Sequence, residues 1–205
     1  MLDSTPTAPL LDLAATRDIA LAQVAALTDH DTPALAASAD LLVTSGGVSL
    51  GGRDPVRPTF AAAGGRIAAW RVAVKPGKPA MFGQLWQAAA TGLPGNPMAA
   101  FVGFHLFAAA QIARLSGQMP PAFATAHGRA DFTGSRRTGR AEVFPVRCTG
   151  SDDTGLPRLS RLGQGVSATL FPLALADGLA MVGADSADVD PGQRLAWHPF
   201  HAGWA

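Results

Sequence analysis

The sequence predicts an α/β domain whose mostly parallel sheet is covered on both faces, a three-layer arrangement, followed by a small all-β domain. Three observations predict it. Short apolar runs that stop at glycine alternate with helical stretches up to about residue 118. A long, nearly uniformly apolar helix pattern closes that region. Beyond Gly117-Gln118-Met119-Pro120-Pro121 the helical period fades, and short β-like runs separated by glycine, aspartate and proline take over. The expected units are residues 1–118 and 122–205.

Each element has a local reason. Asp40-Leu-Leu-Val-Thr44 is a short apolar run ending at Ser45-Gly46-Gly47, the pattern of a buried strand. A helix follows, with Asp54 as N-cap, Pro55 at its first position and a stop near Gly64-Gly65. Arg66 to Val74 reads as a strand, and Ala80–Phe82 and Ala88–Leu93 as two short ones. Asn96-Pro97 opens the long helix and Gly117 ends it. In the second unit, β-like runs lie at Ala141–Cys148, Arg158–Arg161, Leu179–Val182 and Arg194–Trp197, and Ser151–Gly155 reads as a hairpin turn.

Composition bounds the function. The 205 residues are 48% hydrophobic and 15% charged, enough apolar material for a packed core. A net charge of +1 argues against a general nucleic-acid binder but leaves room for a local cationic pocket. The one cysteine, Cys148, has no partner within the chain, which fits a reducing compartment. The opening MLDSTPTAPLL lacks a basic n-region. Ala99–Leu115 carries His105, Gln111 and Arg114, so a core helix is the better reading than a membrane span. A soluble, cytoplasmic protein with a small-molecule substrate is expected, binding neither nucleic acid nor membrane.

Three glycine- and proline-rich loops carry chemistry. Ser45-Gly46-Gly47-Val48-Ser49-Leu50-Gly51-Gly52 links a strand to a helix, where glycines let a backbone approach a ligand and turn its N–H groups inward. It is a candidate phosphate cradle, or a plain tight turn. Val74-Lys75-Pro76-Gly77-Lys78-Pro79 holds two ammonium groups on a stiff turn, either toward an anion or simply in solvent. Gly92-Leu93-Pro94-Gly95-Asn96-Pro97 is another strand–turn–helix with unsatisfied amides, or only a well-capped helix. Asp54 has two readings, helix cap or ligand of a divalent cation. Asp29, His30 and Asp31 form a second polar cluster, in which Asp31 caps a helix start at Thr32-Pro33. His105 reads as a core residue, and His198 and His201 lack ligand spacing.

TSGGVSLG (44–51), Asp54, VAVKPGKP (72–79) and GLPGNP (92–97), in that order, resemble the bacterial molybdopterin molybdenumtransferase family and the gephyrin E domain. GRAEVFPV (139–146) and GQGVSATLFPLALADGLAMV (163–182) resemble that family's small C-terminal β domain. The resemblance runs over roughly residues 1–200, about the second half of a family member. It implies insertion of molybdate into adenylyl-molybdopterin with Mg²⁺ and release of AMP. By the same resemblance, Asp54, Pro94 and Pro97 are active-site residues. Ser45, Gly46, Gly47, Val48, Ser49, Lys75, Gly77, Lys78, Gly95 and Asn96 hold the cofactor, and Asp54 with Asp31 holds the metal. The family's acidic pair falls near Asp29–Asp31, where this sequence has His30 between. The N-terminal half of the family is absent, so the resemblance also implies a homodimer or a partner that supplies it. The alternative is a molybdopterin-binding chain without catalysis. A related adenylyltransferase shares the α/β domain but usually lacks the β tail.

Overall fold

The structure is a computed structural model that describes residues 12, 39–46, 48, 56–124, 126–163 and 170–200. The first unit contains β1 (Leu41–Ser45), α1 (Val56–Ala62), β2 (Arg66–Trp70), β3 (Val74–Lys75), β4 (Met81–Leu85) and β5 (Ala88–Leu93). One continuous helix closes it: α2 (Pro97–Gly103), a π-helical stretch (Phe104–Ala108) and α3 (Ala109–Leu115). The second unit contains β6 (Ala126–Ala130), β7 (Gly134–Ser135), β8 (Ala141–Ser151), β9 (Pro157–Arg161), α4 (Phe171–Ala174), β10 (Gly178–Val182), β11 (Asp188–Val189) and β12 (Arg194–Pro199).

The described strands of the first unit form a four-stranded sheet in the order β1-β5-β4-β2. It is mixed, where a mostly parallel sheet was expected. β1 and β5 run parallel, whereas β4 is antiparallel to both β5 and β2. The cause is local. Leu85 pairs with Ala88, so only Trp86 and Gln87 join β4 to β5. A two-residue connection can only make a hairpin, and Trp86 accordingly takes φ +52°.

The long helix forms as its ends dictate. Asn96 Oδ1 accepts the Ala99 N–H at 3.1 Å, and Pro97 occupies the first turn, where its missing N–H costs nothing. At the other end Gly117 takes φ +72°, its N–H donates to Arg114 O at 3.1 Å, and Gln118 N–H donates to Ala113 O at 2.8 Å. This paired closure satisfies carbonyls that would otherwise be orphaned. The π-helical stretch, which the sequence pattern does not signal, inserts an extra residue into the turn that carries His105 and Phe107. Phe107 meets Phe82 edge-on at 4.8 Å. Both rings are essentially fully buried, each contributing about 2–3 kcal/mol of hydrophobic stabilisation. Thr91 Oγ1 donates to Gln111 Oε1 at 2.5 Å, a buried polar tie from β5 to α3.

The expected strand from Arg66 to Val74 divides. β2 stops at Trp70, Arg71 takes φ +70°, and Val74–Lys75 leaves the first sheet. As β3 it joins the second unit's six-stranded sheet, whose order is β10-β12-β6-β9-β8-β3. There Val74 pairs with Ala141 and Lys75 with Glu142, in parallel. The hydrophobic core crosses the same line: Val74, Phe82, Val102, Leu106 and Phe107 pack with Phe123, Val143 and Leu179. His105 lies 5.1 Å from His198 between ring centroids, beside Phe101 and Phe200. Burial holds both imidazoles below their ordinary value, and for His105 the nearby His198 adds to the effect. The β-like runs of the second unit appear where expected, and Asp152 Oδ1 closes the Ser151–Gly155 turn on the N–H groups of Thr154 and Leu156. β6, β7 and β11 carry no clear sequence signal.

Residues 116–119 are exposed, with Met119 at 90%. Limited proteolysis should cut there first. The nicked fragments should nonetheless co-elute under native conditions, because the β3–β8 pairing and the shared core hold them. Fragments that separate without denaturant would contradict this packing.

Candidate functional site

Strand register brings the three loops to one edge. Ser45 pairs with Leu93, Met81 with Gly92, and Trp70 with Met81. Because β4 is antiparallel to both of its neighbours, β1, β5 and β2 all end their carboxyl termini on this row. Ligands of open α/β sheets bind beyond the carboxyl ends of strands, where loops and helix starts gather.

The first and third loops touch. Gly46 N–H donates to Leu93 O at 2.9 Å, and Ser45 Oγ donates to Pro94 O at 3.4 Å. A side chain on Gly95 would come within 3.4 Å of Gly46 Cα. Gly46 itself sits at φ +87°, a conformation that glycine adopts without the penalty a Cβ brings. The loop then crosses the strand ends: a Cβ on Gly92 would lie 2.5 Å from Val48 Cγ1, and Trp70 Nε1–H donates to Val48 O at 3.0 Å. Gly92 is therefore a packing requirement. The Gly46 amide is engaged by β5. By contrast, the Gly95 and Asn96 amides meet no acceptor among the described residues, at the mouth of the long helix. Pro94 is buried beneath them and Pro97 is exposed beside them. Gly47, Ser49, Asp54 and Asp31, with the neighbouring Asp29 and His30, lie outside the described residues.

The second loop folds toward the same helix start. Val72 N–H donates to Lys78 O at 2.8 Å, and a Cβ on Gly77 would lie 3.9 Å from Ala99 O. The two lysines diverge. Lys78 is half-buried with no ion pair among the described residues. Lys75 follows β3 into the second sheet, where its Nζ stands 3.1 Å from Glu142 Oε1. Glu142 is 3% exposed, and its other oxygen accepts from Arg136 Nε at 3.2 Å, while Arg161 donates to Oε1 at 2.8 Å. Arg136 also donates to the carbonyls of Gly183, Ser186 and Arg140. Lys75, Glu142, Arg136 and Arg161, with Arg137 and Arg140, line a cavity of about 520 Å³. One carboxylate faces five cations there, so the cavity favours an anion. Apart from Lys75, sequence reasoning missed it. The available signal was Glu142, the one charged residue within the apolar run from Ala141 to Val146.

The donors at this edge are amides, ammonium and guanidinium groups, which suit an anion. Among the described residues no cluster of three histidine, cysteine, aspartate or glutamate side chains could hold a metal ion. The Mg²⁺ expectation rests on Asp54 and Asp31, outside those residues.

Residues 10–114 match the family model described as "Probable molybdopterin binding domain", and residues 126–200 match the "MoeA C-terminal region (domain IV)". The chain belongs to the molybdopterin molybdenumtransferase family and covers its C-terminal part. Molybdopterin molybdenumtransferase of Haemophilus influenzae is 40% identical over 129 residues, 55% of this chain and 32% of that protein. Molybdopterin molybdenumtransferase 2 of Mycobacterium tuberculosis is 31% identical over 195 residues, 89% of this chain and 47% of that protein. The chain thus spans less than half the length of these relatives. The molybdopterin biosynthesis MoeA protein of Pyrococcus horikoshii shares the fold, with a TM-score of 0.61 at 21% identity over 80% of this chain and 38% of that one. The order of the two matched segments is that of the two sheets described above.

Glu142 should carry measurable stability. Burial pushes its pKa up, but hydrogen bonds and charge from Arg161 and Lys75 outweigh this and hold it below its ordinary 4.5. A depressed carboxyl stabilises the fold above its unfolded pKa and loses that contribution as pH falls through the folded one. The denaturation midpoint should therefore fall as pH drops below the ordinary 4.5. Glu142→Gln should cost about 1–3 kcal/mol at neutral pH, because it removes the carboxylate from buried Arg136 and partly exposed Arg161 and Lys75, and should remove most of that acid sensitivity. Equal stability of mutant and parent in urea would contradict the arrangement.

Proposed function

We propose that the chain binds molybdopterin along the carboxyl edge of the four-stranded sheet and serves molybdenum insertion with release of AMP. The observation that carries this reading is the convergence of the loops at Ser45–Val48, Lys75–Lys78 and Gly92–Pro97 on one row of strand ends. The Gly95 and Asn96 amides, with the dipole of the helix behind them, suit the pterin phosphate or the pyrophosphate of the adenylylated form. Lys78 adds a point charge beside them. Molybdate is a small dianion, and the cavity beside Lys75 offers it cations at the end of the same loop. Pro94 and Pro97 contribute shape and rigidity, since neither has an N–H to donate.

In the reaction a water oxygen attacks one phosphorus of the phosphoanhydride, the P–O–P bridge breaks and AMP departs, while the two dithiolene sulfurs displace oxo ligands of molybdate, which leave as water with the thiol protons, so molybdenum keeps its oxidation state. The cations here stabilise charge that grows on phosphoryl oxygens and hold both anions close together. Mg²⁺, when bound, would supply further charge stabilisation through carboxylates such as Asp54 and Asp31.

The second reading is a molybdopterin-binding chain that needs a partner, or a second copy, to cover the site. The described donors at the edge, the Gly95 and Asn96 amides and Lys78, are groups that bind an anion, and this favours it. An adenylyltransferase is disfavoured by the segment matching the C-terminal region at 126–200. The test is AMP release from adenylyl-molybdopterin with molybdate and Mg²⁺, by the purified chain alone and with a full-length family member. Molybdopterin should bind, and AMP release by the chain alone should be at least about 100-fold slower than by a full-length enzyme, since small losses of alignment cost that much. Comparable rates would show the chain sufficient alone. Failure to bind molybdopterin would overturn both readings.

A further inference from the structure

Two guanidinium groups stand beside one indole at the end of β2. Arg57, on α1, places its Cζ 3.6 Å from the centroid of the Trp70 ring, and Arg71 places its own 5.8 Å away. The same indole donates to Val48 O at 3.0 Å, so the group rests against the glycine loop. Arg71 N–H donates to Ala80 O at 2.9 Å, which fixes Arg71 just beyond the row of strand ends.

Arg71 is locally unfavourable in three ways. It is 6% exposed, it sits at φ +70°, and its Nε is buried with no hydrogen-bond partner. Arg57 Nε is likewise buried and unpartnered. Among the described residues neither arginine has an ion pair. A buried cation without an anion is strongly disfavoured, and the face of an indole compensates only in part. Positive φ on a residue with a Cβ adds strain, and such strain gathers where a ligand is held.

We infer that Arg71, with Arg57 beside it on Trp70, is an anion station for the second phosphate of a diphosphate ligand. The inference rests on the reading that the carboxyl edge binds an anionic ligand, and it extends that reading to β2. β2 lies two strands from β5, a gap of about 10 Å at the backbone. An extended arginine side chain spans much of that gap. The Gly95 and Asn96 amides take one phosphate and Arg71 takes the next. A diphosphate is thereby distinguished from a monophosphate, which reaches only the first station. Trp70 lies against both guanidinium groups, so its indole reports their displacement.

The experiment titrates the full chain with inorganic pyrophosphate and with inorganic phosphate, by calorimetry and tryptophan emission, and records thermal midpoints. Arg71→Met should weaken pyrophosphate binding at least tenfold, as expected for loss of a charge-assisted hydrogen bond, and phosphate binding less than threefold. Its midpoint should hold or rise, because an unpaired buried charge is gone. Arg71→Lys should restore part of the affinity. Arg57→Met should show a smaller loss with the same preference for pyrophosphate, and it alone decides the matter if Arg71→Met does not fold. Unchanged pyrophosphate affinity, equal loss for both probes, or a lower midpoint with unchanged binding would overturn the inference and leave Arg71 a structural residue. A parent chain that binds neither molybdopterin nor pyrophosphate would overturn the carboxyl-edge reading itself. A parent that binds molybdopterin while Arg71→Met keeps full pyrophosphate affinity would overturn only the role of Arg71.

Discussion

The close contact of Val48 with Gly92 fixes how the glycine loop meets the sheet. A Cβ on Gly92 would stand 2.5 Å from Val48 Cγ1, so glycine there lets Val48 sit against the sheet while its carbonyl accepts from Trp70. From that contact the rest of the edge follows. Gly46 extends the β1–β5 pairing by one hydrogen bond, Gly95 packs against Gly46, and the helix start at Asn96 is brought beside both. A methyl group at Gly92 would force the Val48 side chain to shift, and with it the contact to Trp70.

A second constraint ties this edge to the β unit. After Arg71, at φ +70°, the chain leaves the first sheet and enters the second as β3, carrying Lys75 to Glu142. The net charge of the chain is only +1, yet the cavity beside Lys75 gathers Arg136, Arg137, Arg140 and Arg161 around a single carboxylate. Glu142 offsets repulsion among the nearest of these cations and keeps them oriented. The KPGKP turn thus starts in the second sheet and leads into β4 of the first, and the two sequence segments that match separate family models share a strand pairing and a core cluster here.

Much of this was legible in the residues. Asn96-Pro97 and Gly117 mark the long helix because capping and left-handed closure are local chemistry. Leu41–Leu42–Val43 reads as a strand because its apolar run ends at glycine. The convergence of the three loops could be proposed from strand–turn–helix order. The mixed sense of the sheet was less visible, since Trp86-Gln87 is not a common hairpin pair. The departure of Val74–Lys75 to another sheet depends on partners some 67 residues away, Ala141 and Glu142, and no local pattern encodes it. The basic cavity assembles from β3, β8, β9 and the segment around β7, so each arginine alone looks like a solvated surface charge. Arg71 was hidden for a similar reason: its strangeness lies in burial and backbone angle.

The central claim is that three separate loops act as one anion-binding edge. Hydrogen exchange of the full chain, with and without molybdopterin, tests it most directly. Saturating molybdopterin should slow exchange together in peptides spanning Thr44–Val48, Val72–Pro79 and Gly92–Pro97. Protection confined to one of these segments, or confined to β8 and β9, would contradict it.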